Sequence, residues 1–218
     1  LHKAIRRQRQ MCIRDRYNND AAFHSILNPI LDELNSHMVD GIIYIAGHAR
    51  KINCFPENFG TPAVMAYAYD QNPMVSAVLP DDETSAYQMT RYLIRKGHKK
   101  IALLAGREDN LHTRRRLKGY QNALFDAQIL YNPRLVRYVD WNKPSGYQET
   151  KRLLKEDITA IFCMADTIAG GVYQYLDEQG LRAGRDVSVV GFDNHVLSEY
   201  MIPGLTTMAL PLKEIGTT

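Results

Sequence analysis

KKIALLAG, residues 99–106, decides the fold: two lysines, five apolar residues in a row and a closing glycine. A strand with no polar face is buried on both sides, and strands of that kind belong to parallel sheets covered by helices. Downstream the pattern alternates. A helix over 113–127 leads to the strand LVRYV at 135–139, and a helix over 145–155 leads to AIFCM at 160–164. A helix over 166–179 then leads to VSVVGF at 187–192, and an extended piece, LTTMALP, follows at 205–211. Upstream, a helix over 81–96 carries the stripe Ala86, Met89, Leu93 and Ile94, with Asp81 or Asp82 as its cap. Before it lie the buried strands TPAVMAYAY at 61–69 and VDGIIYIAG at 39–47, and a helix with Ile26, Leu27, Ile30, Leu31 and Leu34 on one face. This βα repeat predicts an α/β protein with parallel sheets.

One doubly wound sheet could hold all of these strands, but Pro80-Asp81-Asp82 and Pro203-Gly204-Leu205 punctuate the chain where it could cross between two lobes. The expected division is an unmatched extension over 1–17, a partial first lobe over 18–80, a second lobe over 81–204 and a return crossover over 205–218.

Charge narrows the choice of partner. The net charge of the 218 residues is +3, yet Lys3, Arg6, Arg7, Arg9, Arg14 and Arg16 against Asp15 alone put +5 into the first sixteen. The remaining chain carries −2 and has no excess that would hold a polyanion along its surface. The opening segment reads either as an extension foreign to the fold or as a basic arm touching DNA. No apolar run approaches the ~18 residues of a membrane span, and the basic opening is not followed by a signal-length apolar stretch. Three distant cysteines, Cys12, Cys54 and Cys163, fit a reducing compartment and no zinc spacing. The expected location is the cytoplasm, without membrane contact, metal or cofactor.

In open α/β sheets ligands bind beyond the carboxyl ends of the strands, so function is sought there. Arg116, the third of an RRR run, is either part of a solvated helix face or a buried guanidinium offering a planar fork to hydroxyls or a carboxylate. Trp141, the single tryptophan, sits in the loop DWNKPSGY rather than on a periodic stripe. It is either structural or a flat platform for a sugar ring or heterocycle. Asp193 closes an apolar strand, where its carboxylate accepts from ligand hydroxyls or caps the next turn. Asp166 follows AIFCM in the same way. The sequence contains no GxSxG elbow, no GxxxxGK, no HExxH and no GxGxxG after a strand. Adjacent Asp81 and Asp82 point apart on a helix, which argues against paired acid–base work. No enzymatic activity is expected.

The order of motifs resembles one known family. VDGIIYI from Val39, VLPDDE at 78–83 as a V-x-x-D-N opening, LIRKGHKKIALLAG, the R-x-x-G-aromatic of Arg116 to Tyr120, VSVVGFDN and the P-x-LTT of Pro203 to Thr207 are similar to the effector-binding region of LacI/GalR bacterial transcription regulators. The resemblance covers 39–216. It implies two Rossmann-like lobes of the type I periplasmic-binding-protein kind, a small effector in the cleft between them, and a homodimer that reads DNA through a separate helix-turn-helix head. Arg116, Asp193 and Trp141 fall on the family's effector-binding arginine, cleft aspartate and sugar-stacking tryptophan. Asn110 and His112 match ligand-facing loop positions.

Departures qualify this. The family's Asn-Asp pair is Ala165-Asp166 here, and Tyr67 stands where galactoside-responding members can carry an aspartate, with Tyr69 and Asp70 following. The resemblance favours a galactoside-like sugar, and Trp141 weakens a purine reading. Neither the head nor the first strand and helix of the first lobe precedes Phe23, so that lobe is expected to be incomplete. The alternative is a sugar-binding transport receptor of the same fold.

Overall fold

A computed structural model describes residues 20–46, 51–53 and 55–217. The expected extension over 1–17 lies outside these residues. The protein has the mixed α/β architecture anticipated, and its chain divides into two compact units, one reaching Leu79 and one running over Pro80–Thr217. Among the described residues, no helix is long and apolar enough to cross a membrane.

In the first unit, α1 (Asp20–Ser36) precedes β1 (Ile42–Ile45), β2 (Lys51–Ile52), β3 (Ala63–Ala66), β4 (Tyr69–Asp70) and β5 (Ser76–Val78). β1, β3 and β5 form a parallel sheet in that order, and β2 pairs with β4. Leu27 and Leu31 of α1 share a core with Ile42, Ile52, Phe55, Met65 and Ala68. The sequence reading did not anticipate β5: three residues between Pro73 and Pro80 are too few for a period-two signal.

The second unit explains the all-apolar run with which the reading began. In order it contains α2 (Asp82–Arg95), β6 (Ile101–Ala105), α3 (Leu111–Asp126), β7 (Val136–Tyr138), α4 (Lys143–Leu153), β8 (Ala160–Cys163), α5 (Asp166–Glu178), β9 (Ser188–Asp193), β10 (Thr206–Ala209) and the single turn α6 (Leu212–Ile215). The sheet order is β10-β9-β8-β6-β7, with every pairing parallel. Every residue of β6 is buried. Ile101, Leu103 and Ala105 pack with Ala86, Met89 and Leu93 of α2 and Tyr120 and Leu124 of α3. Ala102 and Leu104, on the opposite face, pack with Leu153 of α4 and Ile168, Val172 and Leu176 of α5. Successive strand residues point to opposite faces, so a continuous apolar run is what a sheet between two helix pairs requires.

Of the two cap candidates, Asp81 caps α2, accepting from the Thr84 N–H at 3.1 Å. One assignment is corrected. The segment placed in a return crossover, 205–218, begins instead with the edge strand of this sheet, Thr206 to Ala209 registering on Val190 to Asp193. Its alternating threonine–apolar sequence suits a half-covered edge position.

Candidate functional site

The sheet of the second unit begins at an inner strand, β6, adds β7 on one side and then β8, β9 and β10 on the other. The chain therefore leaves β6 in one direction and returns on its far side. The strand ends around β6 and β8 form the switch point at which open sheets bind ligands.

Arg116 reaches this place from the second turn of α3. It is 2% exposed, which settles the two readings of the RRR run in favour of the buried guanidinium. Its Nε donates to Asp82 Oδ1 at 2.8 Å, and a terminal nitrogen donates to the carbonyl of Met164, just past β8. The guanidinium lies 3.6 Å from the centroid of the Phe192 ring and 6.0 Å from that of Trp141. Its terminal nitrogen stands 3.6 Å from Asp193 Oδ1, an ion-pair distance rather than a hydrogen bond. The arrangement gives the R-x-x-G-aromatic motif a physical reason. A Cβ on Gly119, one turn after Arg116, would meet the Glu83 carbonyl oxygen of α2 at 2.1 Å. Only glycine lets α3 approach α2 closely enough for Arg116 to reach Asp82. Tyr120, next in the motif, is buried and donates its hydroxyl to the Ile101 carbonyl at 2.8 Å, tying α3 to β6.

Asp193, at the end of β9, has φ +108 and Asn194 has φ +51. Non-glycine residues adopt such a conformation only when their surroundings impose it. The Asp193 side chain keeps 31% of its surface exposed. Its carboxyl is pushed up to about 7, chiefly by burial; Asp166 and Asp82 add to the rise and Arg116 opposes it.

Trp141 is half-buried in the loop after β7, packs against both cores of this unit, and receives the Thr167 hydroxyl on its backbone carbonyl at 3.2 Å. A Cβ on Gly106, at the end of the opening motif, would strike the Trp141 ring at 1.9 Å. Arg116, Asp193 and Trp141 thus come together at one set of strand ends.

His112 joins the same buried cluster through a contact between Nδ1 and Asp82 Oδ2, with only 5% exposure. Asn110 is the N-cap of α3, its Oδ1 accepting from the His112 N–H at 2.9 Å and from Thr113 N–H at 3.4 Å. Its side-chain carbonyl therefore fixes the start of the helix that carries His112 and Arg116. Tyr67 is a residue of the other unit, half-buried at φ +66, with its N–H donating to Val78 O at 2.9 Å.

Asp166, expected to face the effector, lies just past the end of β8 with its oxygens engaged within the protein. It is fully buried, and its two oxygens already accept from the Thr207 hydroxyl at 2.6 Å and the His195 N–H at 2.7 Å. A Cβ on Gly191 would lie 2.1 Å from Asp166 Oδ1, so the glycine of VVGFDN admits this carboxylate beneath β9. Asp166 clasps β10 and the turn after Asp193; burial raises its pKa while these donors work against the rise.

The sequence reading singled out Asp82 as a cap candidate and missed its place in the Arg116 cluster. It lies 30 residues before His112 and 34 before Arg116, so no local spacing reveals the cluster. Neither does any spacing reveal Phe192 as the floor beneath the guanidinium. Among the described residues, no group of three His, Cys, Asp or Glu side chains could hold a metal ion. The chemistry on offer is recognition: an acceptor carboxylate, a cationic fork and an aromatic face.

Residues 90–218 match the family model of the periplasmic binding protein-like domain. The chain is 30% identical over 213 residues to the ribose operon repressor of Haemophilus influenzae, covering 95% of this chain and 64% of that protein. It is 35% identical over 189 residues to the HTH-type transcriptional repressor CytR of Escherichia coli, covering 85% of this chain and 55% of that one. A solved LacI family transcriptional regulator from Enterococcus faecium with bound ribose superposes at TM-score 0.71 and 29% identity, over 85% of this chain and 70% of that chain. The chain thus spans 64% and 55% of the lengths of these two repressors.

Proposed function

The chain belongs to the periplasmic binding protein-like domain family in the form carried by LacI-type transcriptional regulators, and from that premise we propose that it is the effector-sensing region of such a regulator. It binds a small sugar at the carboxyl ends of the second sheet, and in the whole protein this binding controls attachment to an operator. The effector acts by favouring one of two conformations, which requires no catalysis. The regulator works as a homodimer, since two copies read two half-sites.

The observation that carries this reading is the meeting of Arg116, Asp193 and Trp141 at the switch point. A sugar offers hydroxyl donors for Asp193 and a C–H face for Trp141. The stacking face supports a pyranoside of the galactoside kind; ribose, named for the Haemophilus and Enterococcus relatives, is the second sugar class to test.

Trp141 is the only tryptophan, so its fluorescence reports the site without substitution. Titration with galactosides, glucosides, pentoses and purine nucleosides is expected to give a saturable change with one sugar class. Asp193→Ala should then weaken binding by about 1.5–3 kcal/mol, the worth of a hydrogen bond to a charged group. Silence across the panel from protein shown to be folded, or unchanged affinity in the variant, would overturn the assignment.

A further inference from the structure

The charges at these strand ends lead beyond the sugar reading, on which the following rests. Two carboxylates lie within ion-pair distance of the one guanidinium of Arg116, Asp82 at 2.8 Å and Asp193 at 3.6 Å, and His112 lies against the other oxygen of Asp82. Asp82 and Asp166 are wholly buried and Arg116 nearly so, which leaves little solvent to screen them. The arginine is already turned inward: Nε on Asp82, a terminal nitrogen on the Met164 carbonyl, its flat face on Phe192.

What this cluster turns outward is the partly exposed carboxylate of Asp193, held 3.6 Å from Arg116. Above about pH 7 it is ionised, and an ionised carboxylate accepts hydrogen bonds and cannot donate them. The rise of the Asp193 carboxyl to about 7 comes first from burial, with Asp166 and Asp82 adding to it against Arg116. Asp82 is the carboxylate that claims the arginine, its Oδ1 accepting from the Arg116 Nε at 2.8 Å while its Oδ2 lies against His112 Nδ1.

We propose that Asp82 is a specificity determinant, making this a site for neutral or cationic effectors, hydroxyl- or ammonium-bearing sugars, and against phosphorylated or carboxylated ones. An ammonium group gains from Asp193 and from the Trp141 ring. A phosphate faces like charge with the compensating arginine already engaged.

The test compares matched ligands: galactose, galactosamine and galactose 6-phosphate; glucose, glucosamine and glucose 6-phosphate; ribose and ribose 5-phosphate. Trp141 fluorescence and calorimetry at about pH 8, where Asp193 is mostly ionised, and at constant ionic strength read the affinities. For whichever parent sugar binds, the phosphate ester is expected to bind weaker by about tenfold, or ~1.4 kcal/mol, and the amino sugar at least as tightly as the parent.

Asp82→Asn should narrow the gap between the uncharged sugar and its phosphate ester by about tenfold, whereas a merely structural role would weaken both alike. Asp193→Asn, at a more exposed position, should move the gap in the same direction and serves if the first variant does not fold. A phosphate ester that binds as tightly as its parent sugar, or a gap that neither variant changes, overturns the proposal while leaving the sugar reading intact. Failure of every ligand against folded protein strikes the sugar reading itself and removes this inference with it.

Discussion

The three-stranded sheet of the first unit and the five-stranded sheet of the second are both parallel, yet they are covered differently. In β6 every residue is buried, with helix pairs on both faces. In β1 buried and exposed positions alternate, and Ile43 and Ile45 are 74% and 70% exposed. The same residue type therefore lies in a core in one unit and on a surface in the other. The difference shows where rigidity resides. A buried guanidinium is best aimed by elements locked from both sides, and Arg116 on α3, Trp141 in the loop after β7 and Asp193 on β9 all belong to the unit of the doubly covered sheet. Among the described residues, the first unit has one covering helix and fewer buried apolar side chains, the signature of a region that opens at lower free energy.

The largest effect that can break this comparison is in the second core. Phe162→Ala should cost about 3–5 kcal/mol, measured by urea unfolding followed through Trp141. A cost below that of an ordinary surface change would show that the doubly covered sheet is not where stability is concentrated.

Gly119→Ala comes next. Its methyl would enter the Glu83 backbone, so a loss of about 1–3 kcal/mol is expected. Sugar affinity should fall with it, because separating α3 from α2 separates Arg116 from Asp82. Stability lost with affinity intact would detach the helix contact from the site.

Asp193 sharpens the contrast through pH. Its folded carboxyl titrates near 7, above the ordinary carboxylate range, so in between the folded protein keeps a proton that the unfolded chain has released. The stability it contributes is complete below that ordinary range and is lost as pH rises through about 7. Between pH ~5 and ~8, Asp193→Asn should therefore gain stability relative to the parent as pH increases. A constant difference would contradict the account of Asp193's surroundings.

The smallest expected effect is Ile43→Thr in the first sheet, within about 0.5 kcal/mol in hydrogen exchange of that unit's amides. A loss as large as that of Phe162→Ala would erase the distinction between the sheets.

The elements of the second unit were legible because their information is local. Buried runs such as 101–105 and stripes such as Ala86, Met89 and Leu93 are readable within a dozen residues. β5 was not legible, and β10 was read as a departing segment because sheet membership depends on a partner, β9, contributed by another part of the chain. The site was legible in part. A lone tryptophan in a loop and an aspartate closing a strand are local signals, and the family resemblance placed Arg116 among three identical neighbours. Asp166 was read as facing a ligand because its position in the strand end was visible, whereas the Thr207 hydroxyl and His195 N–H that occupy it were not.

By itself, the sequence determined the alternation of buried strands and amphipathic helices, and hence parallel sheets with a site at their carboxyl ends, because periodicity and chain direction are properties of neighbouring residues. Only the tertiary structure decided which carboxylate holds Arg116 and which is left facing outward. Asp82 and Arg116 meet across 34 residues because a missing Cβ at Gly119 lets two helices close, and that distance between helices is written in no local pattern.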